Sequence, residues 1–151
     1  MKANDFVIRE ATIADAEALG PLSDELGYPN DLGRTAQRLR RVLDSAGHQV
    51  LVAEDDQQRV IGWVHVFGSV RVESDGFAEL GGLVVTESWR GRGVGRDLVT
   101  ESTRWAADNG FSRLRIRSRV ERAKAHEFFE KLGFSDRKTQ RVFESETPEN
   151  A

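Results

Sequence analysis

The chain has 151 residues, a length that fits one domain and allows about two thirds of the unfolded chain's surface to be buried. It contains no cysteine, which excludes disulfides, thiolate metal sites and a cysteine nucleophile. The start of the chain is charged and lacks an apolar segment, and no run of about 18 apolar residues follows. We therefore expect a soluble, cytoplasmic protein that is not bound to a membrane.

Charge is distributed unevenly along the chain. The net charge is −3, but residues 1–75 hold 8 Lys and Arg against 13 Asp and Glu, whereas residues 76–151 hold 14 against 12. A cationic half suits an anionic ligand, and an acidic half suits a cationic one. Chance scatter of solvated surface charges explains the acidic half equally well, so both interpretations of it stay open.

The first quarter predicts a strand and two helices. Residues 6–9 read as a short strand, and Thr12-x-x-Asp15 is typical of a helix start with Thr12 as its cap. Gly27-Tyr28-Pro29 breaks that helix. Asn30 or Asp31 caps a second helix, in which apolar residues recur at three- and four-residue steps.

Three strands are predicted next. Residues 49–53 and 60–66 form a hairpin around a polar turn. Residues 77–85 form the following strand, in which the pair Gly81-Gly82 indicates a bulge or a close backbone approach.

The remaining elements alternate helix and strand. A helix begins near Val94 and stops at Asn109-Gly110. Residues 114–118 alternate apolar side chains with arginines, which predicts a strand with a basic, solvated face. A helix over residues 122–132 ends at a glycine, and residues 134–143 are predicted to form the last strand.

The segment Arg90-Gly91-Arg92-Gly93-Val94-Gly95 lies between the apolar run Leu83-Val84-Val85 and a predicted helix. Glycines let the backbone approach a ligand closely, and the first amides of the helix lack intrahelical partners. Arg90, Arg92 and Arg96 add positive potential, so the segment predicts a phosphate or pyrophosphate site. Its last glycine comes one residue early for G-x-G-x-x-G, and no Gly-Lys-Ser/Thr follows, which excludes two common phosphate motifs.

This segment resembles, at every defined position, the R/Q-x-x-G-x-G/A pyrophosphate loop of the GNAT superfamily of N-acetyltransferases. A second block, residues 125–134 (AHEFFEKLGF), resembles that family's A-x-x-F-Y-E-K-L-G-F. The two blocks and their flanking strands cover roughly residues 76–143.

The resemblance implies a mixed α/β fold: a mostly antiparallel, twisted sheet of about six to seven strands, flanked by about four helices. The predicted order of elements agrees with that arrangement. We expect a single domain over residues 1–145, followed by a polar tail at residues 146–151.

The resemblance also implies acetyl-CoA as co-substrate. In this family the strand before the loop splays from its neighbour, and its backbone pairs with the pantetheine arm. The N–H of Leu83 would polarise the acetyl carbonyl, and Val85 would hold the pantetheine amides, although both are equally suited to an ordinary core strand. The predicted cofactor-binding residues are Leu83, Val84, Val85, Arg90, Gly91, Arg92, Gly93, Val94, Gly95, Arg96, Arg122 and Phe129.

Glu79 is the predicted general base. It lies four residues before Leu83, and even spacing along a strand predicts that both side chains share a face, about 13 Å apart. Residues 77–80 (FAEL) also resemble the strand of the histone-acetyltransferase branch in which a glutamate is the base. The alternative is a structural glutamate, lying at an edge or paired with an arginine of the neighbouring strand.

Phe129 departs from the family pattern. Many members carry a tyrosine there, which protonates the departing CoA thiolate, and phenylalanine has no acidic proton. CoA could leave as thiolate or take a proton from water, another hydroxyl such as Ser118 or Tyr28 could serve, or transfer could be slow or absent. We favour retained activity without a tyrosine acid.

Amine recognition is predicted at the break between the first two helices, which lines the acceptor site in the family resembled. The candidates are Tyr28, Asp24, Glu25 and Asp31. His65 either faces the substrate cleft or is a hydrogen-bonded structural histidine. No two histidines have metal-ligand spacing, so no metal is predicted.

The sequence thus favours an N-acetyltransferase that transfers an acetyl group by direct attack in a ternary complex. The acceptor is a primary amine of a small cationic molecule or of a protein. The alternative is a catalytically degenerate module that binds or senses acyl-CoA. A nucleic-acid binder, suggested by the arginines at 113, 115, 117 and 119, is disfavoured by the negative net charge and the lack of interleaved aromatics. Proteins resembling this one are often homodimers.

Overall fold

The computed structural model describes residues 5–24, 31–118 and 120–148. In chain order its elements are β1 (Phe6–Glu10), α1 (Ala16–Asp24), α2 (Leu32–Leu43), β2 (His48–Asp55), β3 (Val60–Ser69), β4 (Phe77–Val85), α3 (Val94–Asp108), β5 (Leu114–Ile116) and α4 (Ala123–Lys131). Two short 3₁₀ turns, Ile13–Asp15 and Glu87–Trp89, precede α1 and the glycine segment.

The strands form one mixed sheet in the order β1-β2-β3-β4-β5. Neighbours are antiparallel from β1 to β4, and β5 pairs parallel to β4. A parallel pair needs a crossover connection, and α3 supplies it. The predicted mixed α/β class and four helices are confirmed, but the described residues contain five strands instead of six to seven.

Helices cover both faces of this sheet. On one face α1 and α2 bury Leu19 and Leu39 in a cluster with Val50 and Val52 of β2. On the other face α3 lies so close to β3 that a Cβ placed on Gly62 would be 3.3 Å from Val94 and 3.5 Å from Leu98. The sheet is therefore the middle layer of three among these elements, and the start of α3 packs closely on β3.

An ion-pair network fixes β1 to the start of α1. Arg9 donates to both carboxylate oxygens of Asp15 at 2.8 and 2.9 Å, and to Glu54 at 2.7 Å. Asp15 also accepts the backbone N–H of Thr12 at 2.8 Å. The hydrogen bonds from Arg9, and then that from Thr12, hold the pKa of Asp15 below its ordinary value despite burial.

Most predicted element boundaries are confirmed. Asp31 caps α2 by accepting the N–H of Arg34 at 3.1 Å. Gly110 and Gly133 follow α3 and α4 in the left-handed region, with φ of +85° and +95°. The break predicted at residues 27–29 lies outside the described residues.

The predicted last strand, residues 134–143, is wrong. Residues 134–148 form neither helix nor strand, and Val142 and Phe143 are 86% and 87% exposed. Seven consecutive polar residues separate Phe134 from Val142, so the alternation that lets a strand bury one face is missing. The neighbouring prediction was too long, because β5 ends at Ile116 and does not include Ser118.

The chain divides into two compact units, one ending at Arg117 and the other beginning at Ser118. The first contains the sheet with α1, α2 and α3, and the second contains α4. No helix within the described ranges is both long and apolar enough to cross a membrane.

Candidate acyl-transfer site

The predicted bulge in β4 is confirmed. His65 of β3 pairs with Gly82 and Val66 pairs with Leu80, so Gly81 is an extra residue without a partner position on β3. A Cβ on Gly81 would lie 2.9 Å from Nδ1 of His65, and one on Gly82 would lie 2.7 Å from the Trp63 ring. Both glycines are required because their neighbours fill the space of a side chain.

This bulge overturns the prediction that Glu79 and Leu83 share a face. Glu79 pairs with Phe67, while Leu83 pairs with Val64, and these two β3 residues point to opposite faces of the sheet. The extra residue shifts the alternation by one position. Glu79 therefore lies on the face of α1 and α2, and the Leu83 side chain lies on the face of α3.

At the bulge, β4 continues beyond the end of β5, which stops at Ile116 opposite Leu80. The two strands pair only at Ala78, Glu79 and Leu80 within the described part of the chain, whereas β4 continues, paired with β3, to Val85. From Gly81 to Val85 the other edge of β4 is thus outside any described strand pair. Such an edge can accept an extended ligand that carries amides, as an added strand would.

The turn after β4 is anchored by an aromatic side chain. Trp89 meets Phe6 of β1 edge to face, with ring centroids 6.2 Å apart, and the guanidinium of Arg92 lies 4.8 Å from the Trp89 ring centroid. Of the two roles conceivable for Trp89, covering an adenine or holding the turn, these contacts support the second. The loop backbone is thereby fixed relative to the sheet.

Two glycines of the loop adopt conformations that other residues rarely take. Gly91 has φ +79°, and Gly93, the N-cap of α3, has φ +90°. No atom would lie within 4 Å of a Cβ on Gly91, so the space beside it is open. The α3 helix begins at Val94, and the first amides of a helix have no intrahelical acceptor, which suits this end of α3 to an anion.

Three arginines surround this end of α3, and all three are exposed. Arg90 donates from Nε to the carbonyl of Val85 at 3.0 Å, which ties the loop to the end of β4. Nε of Arg96 is 3.8 Å from the carboxylate of Asp97. The cations add to the helix dipole and raise the positive potential at the loop.

Glu79 is ion-paired. Nε of Arg117, just after β5, donates to Oε1 of Glu79 at 2.9 Å, and the Glu79 side chain is only 15% exposed. The alternative of a pairing with an arginine is confirmed, and the role of Glu79 as base remains a prediction. The guanidinium of Arg115 lies 4.0 Å from the centroid of the Phe77 ring and is half-buried, so the arginine face of β5 is less solvated than predicted.

Two histidines form a pair beside the bulge. Nδ1 of His48 on β2 is 2.9 Å from Nε2 of His65 on β3, and the ring of Phe67 lies against both imidazoles. Burial, followed by the proximity of His48, lowers the pKa of His65 to about 4. Sequence reasoning named His65 and missed His48, because their contact is diagonal and depends on the register of the β2–β3 hairpin.

The remaining predicted residues belong to other parts of the chain. Tyr28 and the side chain of Asp24 lie outside the described residues, and Asp31 is used as the cap of α2. In the second unit Arg122 is exposed at the N-cap of α4, and Phe129 packs edge to face against Phe128 and Phe134, with centroids 5.3 and 5.7 Å away.

Two further features of the described residues bear on ligand binding. No group of three or more His, Asp and Glu side chains is arranged to hold a metal ion there. A shallow depression of about 310 Å³ lies between β1, β2 and the C-terminal half of α3, and it is lined by charged residues such as Arg104 and Asp108. That depression is at the opposite end of α3 from the glycine loop.

Comparison with known proteins agrees with this geometry. The sequence profile of the Acetyltransferase (GNAT) family matches residues 16–134. The chain is 36% identical over 61 residues to an uncharacterized N-acetyltransferase, YobR, of Bacillus subtilis (strain 168). That match covers 40% of this chain and spans only 25% of the length of YobR.

Solved structures show the same fold. The aminoglycoside 6'-N-acetyltransferase AAC(6')-Ih from Acinetobacter baumannii superposes with a TM-score of 0.84 at 18% identity, over 95% of this chain and 100% of that one. AAC(6')-Iy, in complex with the bisubstrate analogue CoA-S-monomethyl-acetylneamine, gives 0.83 at 18% identity, over 95% and 99%.

The fold and the profile match define the class: the chain belongs to the Acetyltransferase (GNAT) family.

Proposed function

We propose that this chain is an acetyl-CoA-dependent N-acetyltransferase whose acceptor is a primary amine. One observation carries the proposal: in a chain that matches the GNAT profile, β4 continues beyond Leu80, where its pairing with β5 ends, and leads into the glycine loop and α3. An extended ligand that carries amides can pair with the edge of β4 beyond Leu80, and the pyrophosphate of the same ligand can meet the first amides of α3.

Each part of the co-substrate has candidate partners in this arrangement. The backbone of residues 91–96 and the arginines beside it hold the pyrophosphate, and Val85 pairs with a pantetheine amide. The N–H of Leu83 donates to the acetyl carbonyl, where negative charge develops during attack. These roles belong mainly to the backbone, so they depend on the local geometry more than on side chains.

Glu79 is the proposed base for the incoming amine. Its carboxylate lies on the face of α1 and α2, beside the bulge, and Arg117 holds one of its oxygens. At neutral pH a primary amine is mostly an ammonium ion, which a carboxylate attracts and can deprotonate. Phe129 has no acidic proton, so the CoA thiolate leaves as such and is protonated by solvent.

The acceptor is proposed to be a small cationic amine. The net charge of −5 over residues 1–75 favours such a molecule. AAC(6')-Iy, with the same fold, binds an analogue that joins CoA to an acetylated neamine. A protein amine is the other acceptor class.

The test combines binding and turnover in one preparation. Purified protein is titrated with acetyl-CoA by calorimetry, and then neamine, spermidine and a lysine-containing peptide are added in turn while free thiol is measured. We expect saturable binding of acetyl-CoA and thiol release that depends on one of the amines. Binding without release from any of them would favour the acyl-CoA-sensing alternative, and absence of binding would refute both functions.

A further inference from the structure

The imidazole pair, His48 and His65, stands next to the β4 bulge, and the proposed function does not yet use it. We propose that His65 accepts the proton that the acceptor nitrogen loses as it attacks the acetyl group, and that His48 passes a proton on to water. This inference rests on the proposed function. In it, His65 is a second proton acceptor, in addition to Glu79.

The position of the His65 ring supports the first step, in which Nδ1 accepts a proton from the acceptor nitrogen. Nδ1 of His65 would be 2.9 Å from a Cβ on Gly81, so this nitrogen lies directly above a residue that has no side chain. Gly81 is itself exposed and His65 is half-buried, so Nδ1 lies beside backbone that solvent reaches. Leu83, the proposed oxyanion donor, is two residues further along, about 7 Å on an extended strand.

The other ring nitrogen of His65, Nε2, is placed for the next step, the proton transfer to His48. Nε2 of His65 is 2.9 Å from Nδ1 of His48, a hydrogen-bonding distance. An imidazole can accept a proton on one nitrogen and release another from the opposite nitrogen. The relay requires that His65 carries its proton on Nε2, so that Nδ1 offers a lone pair to the substrate and Nδ1 of His48 is the acceptor.

Each of the two proton acceptors, Glu79 and His65, takes one proton from the acceptor nitrogen. The ammonium ion first loses one proton to Glu79 and becomes a free amine. When the new N–C bond forms and the C–S bond breaks, the bonding pair leaves on the CoA sulfur and the nitrogen must lose a second proton. That proton goes to Nδ1 of His65, the Nε2 proton moves to Nδ1 of His48, and the Nε2 proton of His48 goes to water. The thiolate takes up one proton from water, and Glu79 returns its proton to solvent. Proton exchange with water then restores the starting tautomers of both rings.

The surroundings keep His65 neutral between turnovers. The groups facing it are His48 from β2, Phe67 from β3 and the glycine pair of β4. On the same face β4 carries Glu79, paired with Arg117. The charged side chains of α1 and α2 whose exposure is described are all exposed: Glu17, Arg34, Arg38, Arg40 and Arg41. A neutral imidazole of lowered pKa accepts a proton only transiently and releases it to His48.

The kinetic experiment uses acetyl-CoA with whichever of neamine, spermidine and the peptide is acetylated. His65→Gln should lower kcat by roughly 100-fold, as loss of a general base typically does. The loss should persist at high pH, where the amine is already free, and the affinity for acetyl-CoA should stay within about twofold. His48→Gln, acting through His65, should lower kcat less and change the pH profile, while His126→Gln, the same substitution at the third histidine, is the matched control.

A second measurement needs no acceptor and no variant. Nitrogen-15 chemical shifts of the histidine rings in the wild-type protein at neutral pH report which nitrogen carries each proton. The relay predicts Nε2–H at His65 and an unprotonated Nδ1. A proton on Nδ1 of His65, or an unchanged kcat and pH profile in His65→Gln, would overturn the relay while leaving acetyl-CoA binding, and so the proposed function, intact.

Discussion

The glycine loop before α3 and the bulge in β4 both depend on glycine, for different physical reasons. Gly91 and Gly93 need glycine because their φ values are positive; the space beside Gly91 is open, and a Cβ on Gly93 would meet only Arg96, at 3.6 Å. Gly81 and Gly82 have no such φ, but neighbouring rings occupy the position of their missing side chains. The first requirement comes from the local backbone, and the second comes from another strand.

The two regions also differ in electrostatics. The loop is exposed and cationic, with three arginines near the first amides of α3. The bulge is bordered by half-buried aromatic and imidazole rings, and burial keeps His65 uncharged at neutral pH. This contrast suits the loop to anion binding and the bulge to chemistry on an uncharged amine.

The largest effect is expected at the loop. Gly93→Ala strains the N-cap of α3 and fills the space of the anion, so the Kd for acetyl-CoA should rise roughly 100-fold. Gly110→Ala is the matched control, because Gly110 has a similar φ, +85°, at the other end of the same helix. Calorimetric titration of both variants checks the difference, and an equal loss of affinity in the two would mean that strain alone explains it.

A smaller effect is expected from crowding the bulge. The Cβ of Gly82→Ala would lie 2.7 Å from the Trp63 ring, so the variant should lose roughly 2 kcal/mol of unfolding free energy, as overpacked cores do. The open space at Gly91 predicts no clash in Gly91→Ala, only the strain of its φ. Urea denaturation measures both, and a Gly82→Ala variant as stable as wild type would show that Trp63 moves aside.

Glu79→Gln should separate the first proton transfer from binding. We expect kcat/KM to fall about tenfold below the pKa of the amine, where a base is needed, and to approach wild type at high pH. Acetyl-CoA affinity should stay nearly unchanged. A pH profile with the wild-type shape would remove Glu79 as base and leave it as the partner of Arg117.

The smallest effect concerns stability and pH. The pKa of His65 is about 4 in the folded chain against an ordinary 6.5, so the unfolded chain binds more protons between these values. The contribution of neutral His65 to the unfolding free energy is therefore fully present above pH 6.5, and it is lost as the pH drops toward 4. Between pH 7.5 and pH 5 this one group should cost about 1 kcal/mol after allowance for partial exposure.

His65→Gln should abolish that part of the pH dependence, measured by urea denaturation at the two pH values. The lower limit of pH 5 keeps Asp15 and Asp55 out of the comparison, since the pKa of each carboxyl lies below 3.8. An identical stability difference in wild type and variant would show that His65 is not the group that titrates.

Much of the fold was predictable because its signals are local. Apolar periodicity predicted α2 and α3. Asp31 predicted the start of α2, Gly110 and Gly133 predicted the ends of α3 and α4, and the pair Gly81-Gly82 predicted the bulge. The predicted strand over residues 134–143 failed because a strand needs a partner and an alternating face, and its seven central residues are all polar.

The candidate site also has features that local sequence determines and features that depend on contacts between strands. The sequence by itself determined the family and the glycine loop, because glycine conformation, helix dipole and arginine charge act within a few residues of chain. Only the tertiary structure decided that Glu79 faces away from the Leu83 side chain, that Arg117 holds Glu79, and that two histidines 17 positions apart share a hydrogen bond. Those facts depend on strand register, which one extra residue in β4 shifts and which no local pattern in the sequence specifies.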